Sequence, residues 1–175
     1  VSHIKKKKII DKALKYAKSM EGFNYACWKP SMGFPYEDGP PFWKVNEKVP
    51  DIKEIKKHGL CCTGLANLVR RYLDLSVPYD ICTPWKGSTC AWFNYLKKNK
   101  RLEKINFNKV YPKGTLLLQD YNVKDQGHVT FTINSSKKTK VRIHDVNYFW
   151  KKQVSYKAKV KHFLKRKLRI NVNNY

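Results

Sequence analysis

The apolar residues of this chain change their period once, and that change constrains the fold more than any other feature. In the first part of the chain they recur at helical spacing, most clearly from Thr63 to Leu75, with Asn67, Arg70 and Arg71 on the opposite face. From Lys113 onward apolar and polar residues alternate, as is typical of strands. Helices followed by strands predict an α+β domain built around an antiparallel sheet.

The predicted elements can be bounded from these patterns. An amphipathic, basic N-terminal helix is expected within residues 1–21. A helical or mixed segment is expected from Ser88 to Lys98. We expect an antiparallel sheet of about five strands, at Gly114–Gln119, His128–Ile133, Lys140–Asp145, Tyr148–Tyr156 and Lys167–Val172.

A long insertion, residues 29–58, separates the first helix from the helix that begins at Thr63. Its first part, Lys29 to Pro50, is rich in Pro and aromatic residues, which predicts a long ordered loop rather than a disordered linker. A short helical piece, Asp51 to Lys57, is expected to follow. With 175 residues, 42% of them hydrophobic, the chain has enough material for one core. We therefore expect a single domain, residues 1–175.

The charge of the chain is strongly positive, with 37 Lys and Arg against 13 acids and a formal charge of +24. Such an excess favours anionic partners, among them nucleic acid, an anionic cell-wall polymer and an acidic membrane surface. A Lys-rich composition arises equally in AT-rich genomes. No apolar run approaches the roughly 20 residues that a membrane-spanning helix needs, so no transmembrane segment is predicted. No secretory signal is recognisable either.

The five cysteines are odd in number and too sparse for a disulfide scaffold. Reduced thiols are therefore expected, in a reducing compartment or a virus particle rather than in a disulfide-rich secreted protein. No CxxC pair is present, so no metal site is expected. No other cofactor is predicted. A weaker alternative is a structural metal site at His58, Cys61 and Cys62, with Cys27 as a further ligand.

Cys62 lies where the Thr63 to Leu75 helix is expected to begin. A thiol at a helix N-terminus is next to unpaired backbone N–H groups and the positive end of the helix dipole. Both favour the thiolate, which is the nucleophilic form. The alternative is that Cys61 and Cys62 are small buried apolar residues, the usual environment of free cysteines.

His128 follows Gly127 at the first position of a strand, where it can reach across to a thiol as a general base. His144 lies on the polar face of the next strand and is the preferred candidate for orienting His128. Asp145 is its rival, because a carboxylate also orients an imidazole, although it projects to the opposite face if the strand continues.

Five short motifs follow one another along the chain. In order, they are Tyr25-Ala26-Cys27-Trp28, Cys61-Cys62-Thr63-Gly64-Leu65, Tyr111-Pro112-Lys113-Gly114-Thr115-Leu116, Gly127-His128-Val129 and Ile143-His144-Asp145. From about Gly22 to Val172 the chain resembles the NlpC-type papain-like cysteine peptidases, and the resemblance rests on the order of these motifs. It departs from the family pattern at Cys61 (for Asp), Thr63 (for Ser), Thr115 (for Asp) and Thr130 (for Gly).

The resemblance implies a papain-like core in which Cys62 is the nucleophile, His128 the base and His144 the orienting residue. It also implies that Tyr25 lies beside the developing oxyanion. The implied function is a cysteine hydrolase that cleaves an amide through a thioester on Cys62. The implied substrate is a peptidoglycan stem peptide, with a host protein amide or an isopeptide bond as further candidates.

The alternative function is a catalytically inactive papain-like scaffold that binds nucleic acid or another polyanion without sequence specificity. Dense basic patches at Lys5–Lys8, Lys97–Arg101 and Lys157–Arg169 support it. The sequence contains no recognisable base-reading module. Both functions are compatible in one protein, since a basic hydrolase can be packed beside nucleic acid in a virus particle.

Overall fold

The helices lie in the first part of the chain, where the apolar residues recur at helical spacing. The computed structural model describes residues 3–26, 28, 49–75, 77–78, 89–104, 110–119, 127–133, 142–147, 153–159 and 170–173. Four helices lie within these residues: α1 (His3–Lys18), α2 (Ile52–His58), α3 (Cys62–Tyr72) and α4 (Thr89–Lys98). α2 is the expected helical end of the 29–58 insertion, whose residues 29–48 lie outside the described ranges.

Six strands follow the helices in the described part of the chain. They are β1 (Leu102–Lys104), β2 (Leu116–Gln119), β3 (His128–Thr132), β4 (Arg142–Asn147), β5 (Gln153–Lys159) and β6 (Ile170–Asn173). They form one sheet in the order β1-β6-β2-β3-β4-β5, and every neighbouring pair is antiparallel. The expected α+β class with an antiparallel sheet is therefore confirmed.

The sheet contains one strand that the sequence pattern did not predict. β1 has three residues, which is too short for a recognisable alternation of apolar and polar side chains. Its partner is β6, near the end of the chain, where Glu103 pairs with Val172. A pairing between such distant segments is specified by tertiary packing and not by local sequence.

The hydrophobic core lies between α3, the other helices and the sheet. α3 packs against α1 and against β3 and β4. The core includes Met20 from the turn after α1, Leu65 and Leu68 from α3, Trp92 from α4 and Leu118 from β2. α3 therefore contacts protein on most of its circumference.

This central position of α3 makes one prediction wrong. Asn67 and Arg71 were expected on an exposed face, but Asn67 is fully buried and Arg71 is 2% exposed. Asn67 Oδ1 accepts a hydrogen bond of 2.8 Å from the indole Nε1 of Trp92, which joins α3 to α4. The periodicity of α3 identified its apolar face, but the contacts of Asn67 with α4 and of Arg71 with Tyr16 of α1 bury a second face.

None of the described helices combines the length and the apolar character needed to cross a membrane.

Candidate active site

The start of α3 is fixed by a close approach of two chain segments. Leu60 N donates to Asn24 O and Ala26 N donates to Leu60 O, each at 3.1 Å. These bonds surround a parallel bridge between Tyr25 and Leu60. Gly59 permits the approach, because it has a φ of 81° and a Cβ at this position would lie 2.7 Å from Asn24 O. The backbone of Tyr25 is thereby held beside the segment that leads into α3.

Cys62 is the first residue of α3, as the sequence predicted for the helix start. The preceding Cys61 is extended (φ −105°, ψ 179°), and its side chain makes no capping hydrogen bond. The first helical hydrogen bond runs from Leu65 N to Cys61 O at 2.9 Å. The Cys62 side chain therefore lies in the first turn, close to the positive end of the helix dipole.

His128 opens β3 and lies next to Cys62. Gly127, with a φ of 75°, turns the chain into the strand. The His128 side chain and the backbone N–H of Val129 both lie near enough to the Cys62 thiol to lower its pKa. The structure thus brings together two residues that are far apart in the sequence.

The electrostatics of the pair favour the thiolate. Burial on its own raises the pKa of Cys62, because it removes water from the charged form. The charge of His128 and its hydrogen bond oppose this effect, with smaller contributions from Val129 N–H and the Thr63 side chain. The net result is a pKa below the ordinary value of a cysteine thiol.

Both members of the pair are buried: Cys62 is 8% exposed and His128 is 4% exposed. The polar face of β3 is also buried, since Thr130 and Thr132 are each 1% exposed. Thr132 Oγ1 donates to Pro112 O at 2.8 Å and accepts from Thr115 N at 3.1 Å, so its hydroxyl is satisfied inside the protein. Sequence alternation separated the two faces of β3 but did not show that both are covered.

His144 and Asp145 are described only through their backbone. In the β3–β4 register, His144 is opposite Phe131 and Ile143 is opposite Thr132. The β4–β5 register is irregular between Ile143 and Asp145, so His144 lies within the irregularity. The side chains of His144 and Asp145 lie outside the described part of the structure. The choice between them as the orienting residue of His128 stays a prediction.

The three cysteines in the described part of the chain differ in oxidation state. Cys61 and Cys62 are not disulfide-bonded. Cys90 is disulfide-bonded, so the expectation of reduced thiols throughout is wrong at this position. Disulfide formation depends on a Cα separation of roughly 4.4–6.8 Å in the folded chain, which sequence spacing does not reveal.

The weaker alternative, a metal site at His58, Cys61 and Cys62, gains no support from the described residues. Within them, no group of three or more His, Cys, Asp or Glu side chains is arranged to hold a metal ion. His58 instead stacks on Trp28, with ring centroids 4.6 Å apart, and its Nε2 lies 3.3 Å from a carboxylate oxygen of Glu54. Cys27 lies outside the described ranges.

Three groups near the sulfur were not predicted from the sequence to take part in the site. They are the backbone N–H of Val129, the Thr63 hydroxyl and, beyond it, the Thr89 hydroxyl. The backbone N–H leaves no signal in a sequence, and Thr89 is distant from Cys62 along the chain. Thr63 had a signal, since it directly follows the candidate nucleophile.

No family model matches the chain, and neither a curated protein nor a solved structure matches it. The similarity to NlpC-type peptidases therefore rests on the ordered motifs alone.

Proposed function

We propose that this protein is a cysteine hydrolase that cleaves an amide bond through a thioester on Cys62. The observation that carries the proposal is that His128 lies beside the Cys62 thiol and lowers its pKa, with the thiol in the first turn of α3. A thiol beside an imidazole is the usual nucleophile–base arrangement of thiol hydrolases. The lowered pKa of Cys62 is consistent with this role, because reactive cysteines are those that ionise readily.

The proposed reaction has two halves. His128 takes the proton of the Cys62 thiol, and the thiolate attacks the carbonyl carbon of the amide. The C–N bond then breaks, and His128 gives the proton to the leaving amine, which leaves an acyl thioester on Cys62. Water attacks the thioester while His128 accepts a proton from it. The acid product leaves, and the proton returns to the sulfur.

The remaining site assignments belong to the same proposal. Backbone N–H groups of the first turn of α3 are suited to stabilise the oxyanion, as at other helix N-termini. Tyr25 is proposed to assist there, since its backbone bridges to Leu60 just before the nucleophile. His144 is proposed to orient His128. No cofactor takes part in this mechanism.

A papain-like core of the NlpC type is the proposed fold, because it likewise places the nucleophile at a helix N-terminus and the base on a neighbouring strand. The proposed substrate is a peptidoglycan stem peptide, with a protein amide or an isopeptide bond as the next candidates. The net charge of +24 suits an anionic wall polymer. The need to keep the nucleophile reduced favours a reducing compartment or a virus particle as the proposed setting, whereas the Cys90 disulfide favours an oxidising one.

Iodoacetamide labelling tests whether Cys62 is the reactive thiol. Near neutral pH we expect Cys62 to be alkylated faster than Cys61, because the pKa of Cys62 is lowered by His128. Peptide mass spectrometry of the labelled protein measures both sites. The Cys61→Ala variant should keep the fast label and the Cys62→Ala variant should lose it. Preferential labelling of Cys61 in the parent protein would contradict the proposal.

A second candidate function is non-specific binding of nucleic acid, and the surface of α1 favours it. Lys5, Lys6, Lys7, Lys8, Lys12, Lys15 and Lys18 are all exposed on this helix. The only acid of α1, Asp11, forms an ion pair with Lys113, so it does not neutralise the lysines of its own helix. Such a surface neutralises phosphates without reading sequence.

Salt dependence tests the second candidate. Replacing Lys7, Lys8 and Lys15 with Gln should weaken binding to duplex DNA and lower the slope of log Kd against log salt by about 3, one phosphate contact for each lysine. Fluorescence anisotropy over a salt series measures both quantities. The matched control replaces Lys53, Lys56 and Lys57, which are also exposed but lie on α2. Equal losses in the two variants would show that α1 is not a distinct binding surface.

A further inference from the structure

A chain of buried hydroxyl groups leads away from the Cys62 sulfur. Thr63 Oγ1 lies 3.7 Å from Cys62 Sγ. The same oxygen lies 3.4 Å from Thr89 Oγ1, at the start of α4. Thr63 is 4% exposed and Thr89 is 2% exposed, so the two hydroxyls meet inside the protein.

The position of Thr89 is fixed by packing between helices. Cys90, Ala91 and Trp92, which follow Thr89 on α4, are all buried. The hydrogen bond from Trp92 Nε1 to Asn67 Oδ1 ties this turn of α4 to α3. The Thr89 hydroxyl is therefore held against the first turn of α3, where Thr63 lies.

We propose that Thr89 is a positioning residue that directs the Thr63 hydroxyl hydrogen toward the Cys62 sulfur. A threonine hydroxyl has a single hydrogen and rotates freely. When Thr89 donates to Thr63 Oγ1, the Thr63 hydrogen is left to point at the sulfur. Without that donor, the Thr63 hydroxyl is free to turn toward a backbone carbonyl of the preceding chain, as threonines in helices often do.

The direction of this hydrogen bond affects the ionisation of Cys62. A thiolate is a much stronger acceptor than a thiol, so a hydroxyl aimed at the sulfur stabilises the charged form. The Thr63 side chain contributes to the low pKa of Cys62 in this way. Thr89 acts one step further out, through Thr63, and its contribution depends on Thr63.

The test is the pH dependence of Cys62 alkylation by iodoacetamide, in a Cys61→Ala background. Thr89→Val keeps the shape of the side chain and removes the donor. We expect its rate profile to shift to higher pH by about 0.5 to 1 unit, so that the rate on the acidic limb falls about three- to tenfold. Thr89→Ser keeps the hydroxyl and should match the parent. An unshifted profile in a folded Thr89→Val variant would overturn the proposal, because a purely structural role moves stability and not ionisation.

A double-mutant comparison checks that Thr89 acts through Thr63. Thr63→Val should shift the profile at least as far as Thr89→Val does. Adding Thr89→Val to Thr63→Val should produce no further shift, since the group through which Thr89 acts is already gone. Additive shifts would refute the proposed chain, and this comparison remains informative if one variant is less stable than the other.

The functional importance of the Thr89 position rests on the proposed hydrolase activity. Failure of the Thr89 proposal can be distinguished from failure of the proposed hydrolase function. Alkylation reports the Cys62 thiolate directly and needs no substrate. A shifted profile in a protein without hydrolase activity would keep the role of Thr89 and remove the proposed function. Normal hydrolysis with an unshifted Thr89→Val profile would keep the proposed function and remove the role of Thr89.

Discussion

Replacing Cys62 with alanine should lower amide hydrolysis by roughly 10⁴-fold or more, because the variant cannot form the thioester. The assay compares the parent and the variant on muropeptides that carry the stem peptide and on an isopeptide-linked protein, and product release is followed by mass spectrometry. The fold should survive, because the substitution removes one sulfur atom from a side chain at the start of a helix. Circular dichroism and the thermal midpoint Tm check this point.

Cys61→Ala is the matched control for Cys62→Ala. Cys61 is also a buried cysteine outside any disulfide, and its side chain provides no helix cap, so its replacement removes the same atom without removing the nucleophile. It should retain most of the parent activity. Turnover that persists in Cys62→Ala, or that disappears only in Cys61→Ala, would end the assignment of Cys62.

Replacing His128 with alanine should remove the base and also change the ionisation of the thiol. Hydrolysis should fall by about 10²- to 10⁴-fold, the usual contribution of a positioned general base. The pKa of Cys62 should rise, because the effect of burial is then opposed only by the hydrogen bonds from Val129 and Thr63. The pH profile of alkylation should therefore move toward alkaline pH, and labelling near neutral pH should slow.

The direction of the shift in the pH profile of alkylation shows whether the Cys62 thiol is paired with His128. In the parent, the alkylation profile should inflect at lower pH than that of the urea-unfolded chain, because the folded protein stabilises the thiolate. In His128→Ala, the profile of the folded protein should instead inflect at higher pH than that of the unfolded chain. His58→Ala is the control, since His58 lies partly exposed beside Trp28 and should leave the profile unchanged. A parent profile already displaced to alkaline pH would show that His128 does not favour the thiolate.

His128 is 4% exposed, so the stability of its alanine variant needs a separate measurement. The lost side chain leaves a cavity, and we expect the free energy of unfolding to fall by about 1–3 kcal/mol. Urea unfolding measures the loss, and assays at a temperature where the variant is folded separate it from the chemical effect. His128→Gln fills more of the cavity without supplying a base and should be as inactive as the alanine variant.

The local elements of the site were predictable because they depend on short-range patterns. The apolar period marked the start of α3 at Thr63, within one residue of the observed start at Cys62. Alternation marked β3 from His128 to Ile133, and the strand runs from His128 to Thr132. The sequence therefore identified Cys62 at a helix start and His128 at a strand start without any knowledge of the packing.

The contacts around these positions were not predictable in the same way. Asn67 and Arg71 looked like surface residues, because a helix pattern shows one apolar face and cannot show what covers the other. Thr89 had no local signal at all. Its relation to Cys62 depends on how α4 is placed on α3 through Trp92 and Asn67.

The sequence by itself determined the order of helices and strands, the α+β class and the two residue types suited to thiol chemistry, because these follow from local periodicity and side-chain chemistry. Only the tertiary structure decided that the sulfur and the imidazole are in contact, that both are buried and that Thr63 and Thr89 lie behind them. Burial and contact are properties of segments distant in sequence, and they are specified by the packing of α3 against the sheet and α4. The disulfide state of Cys90 belongs to the same class of properties, since it depends on distances that arise only on folding.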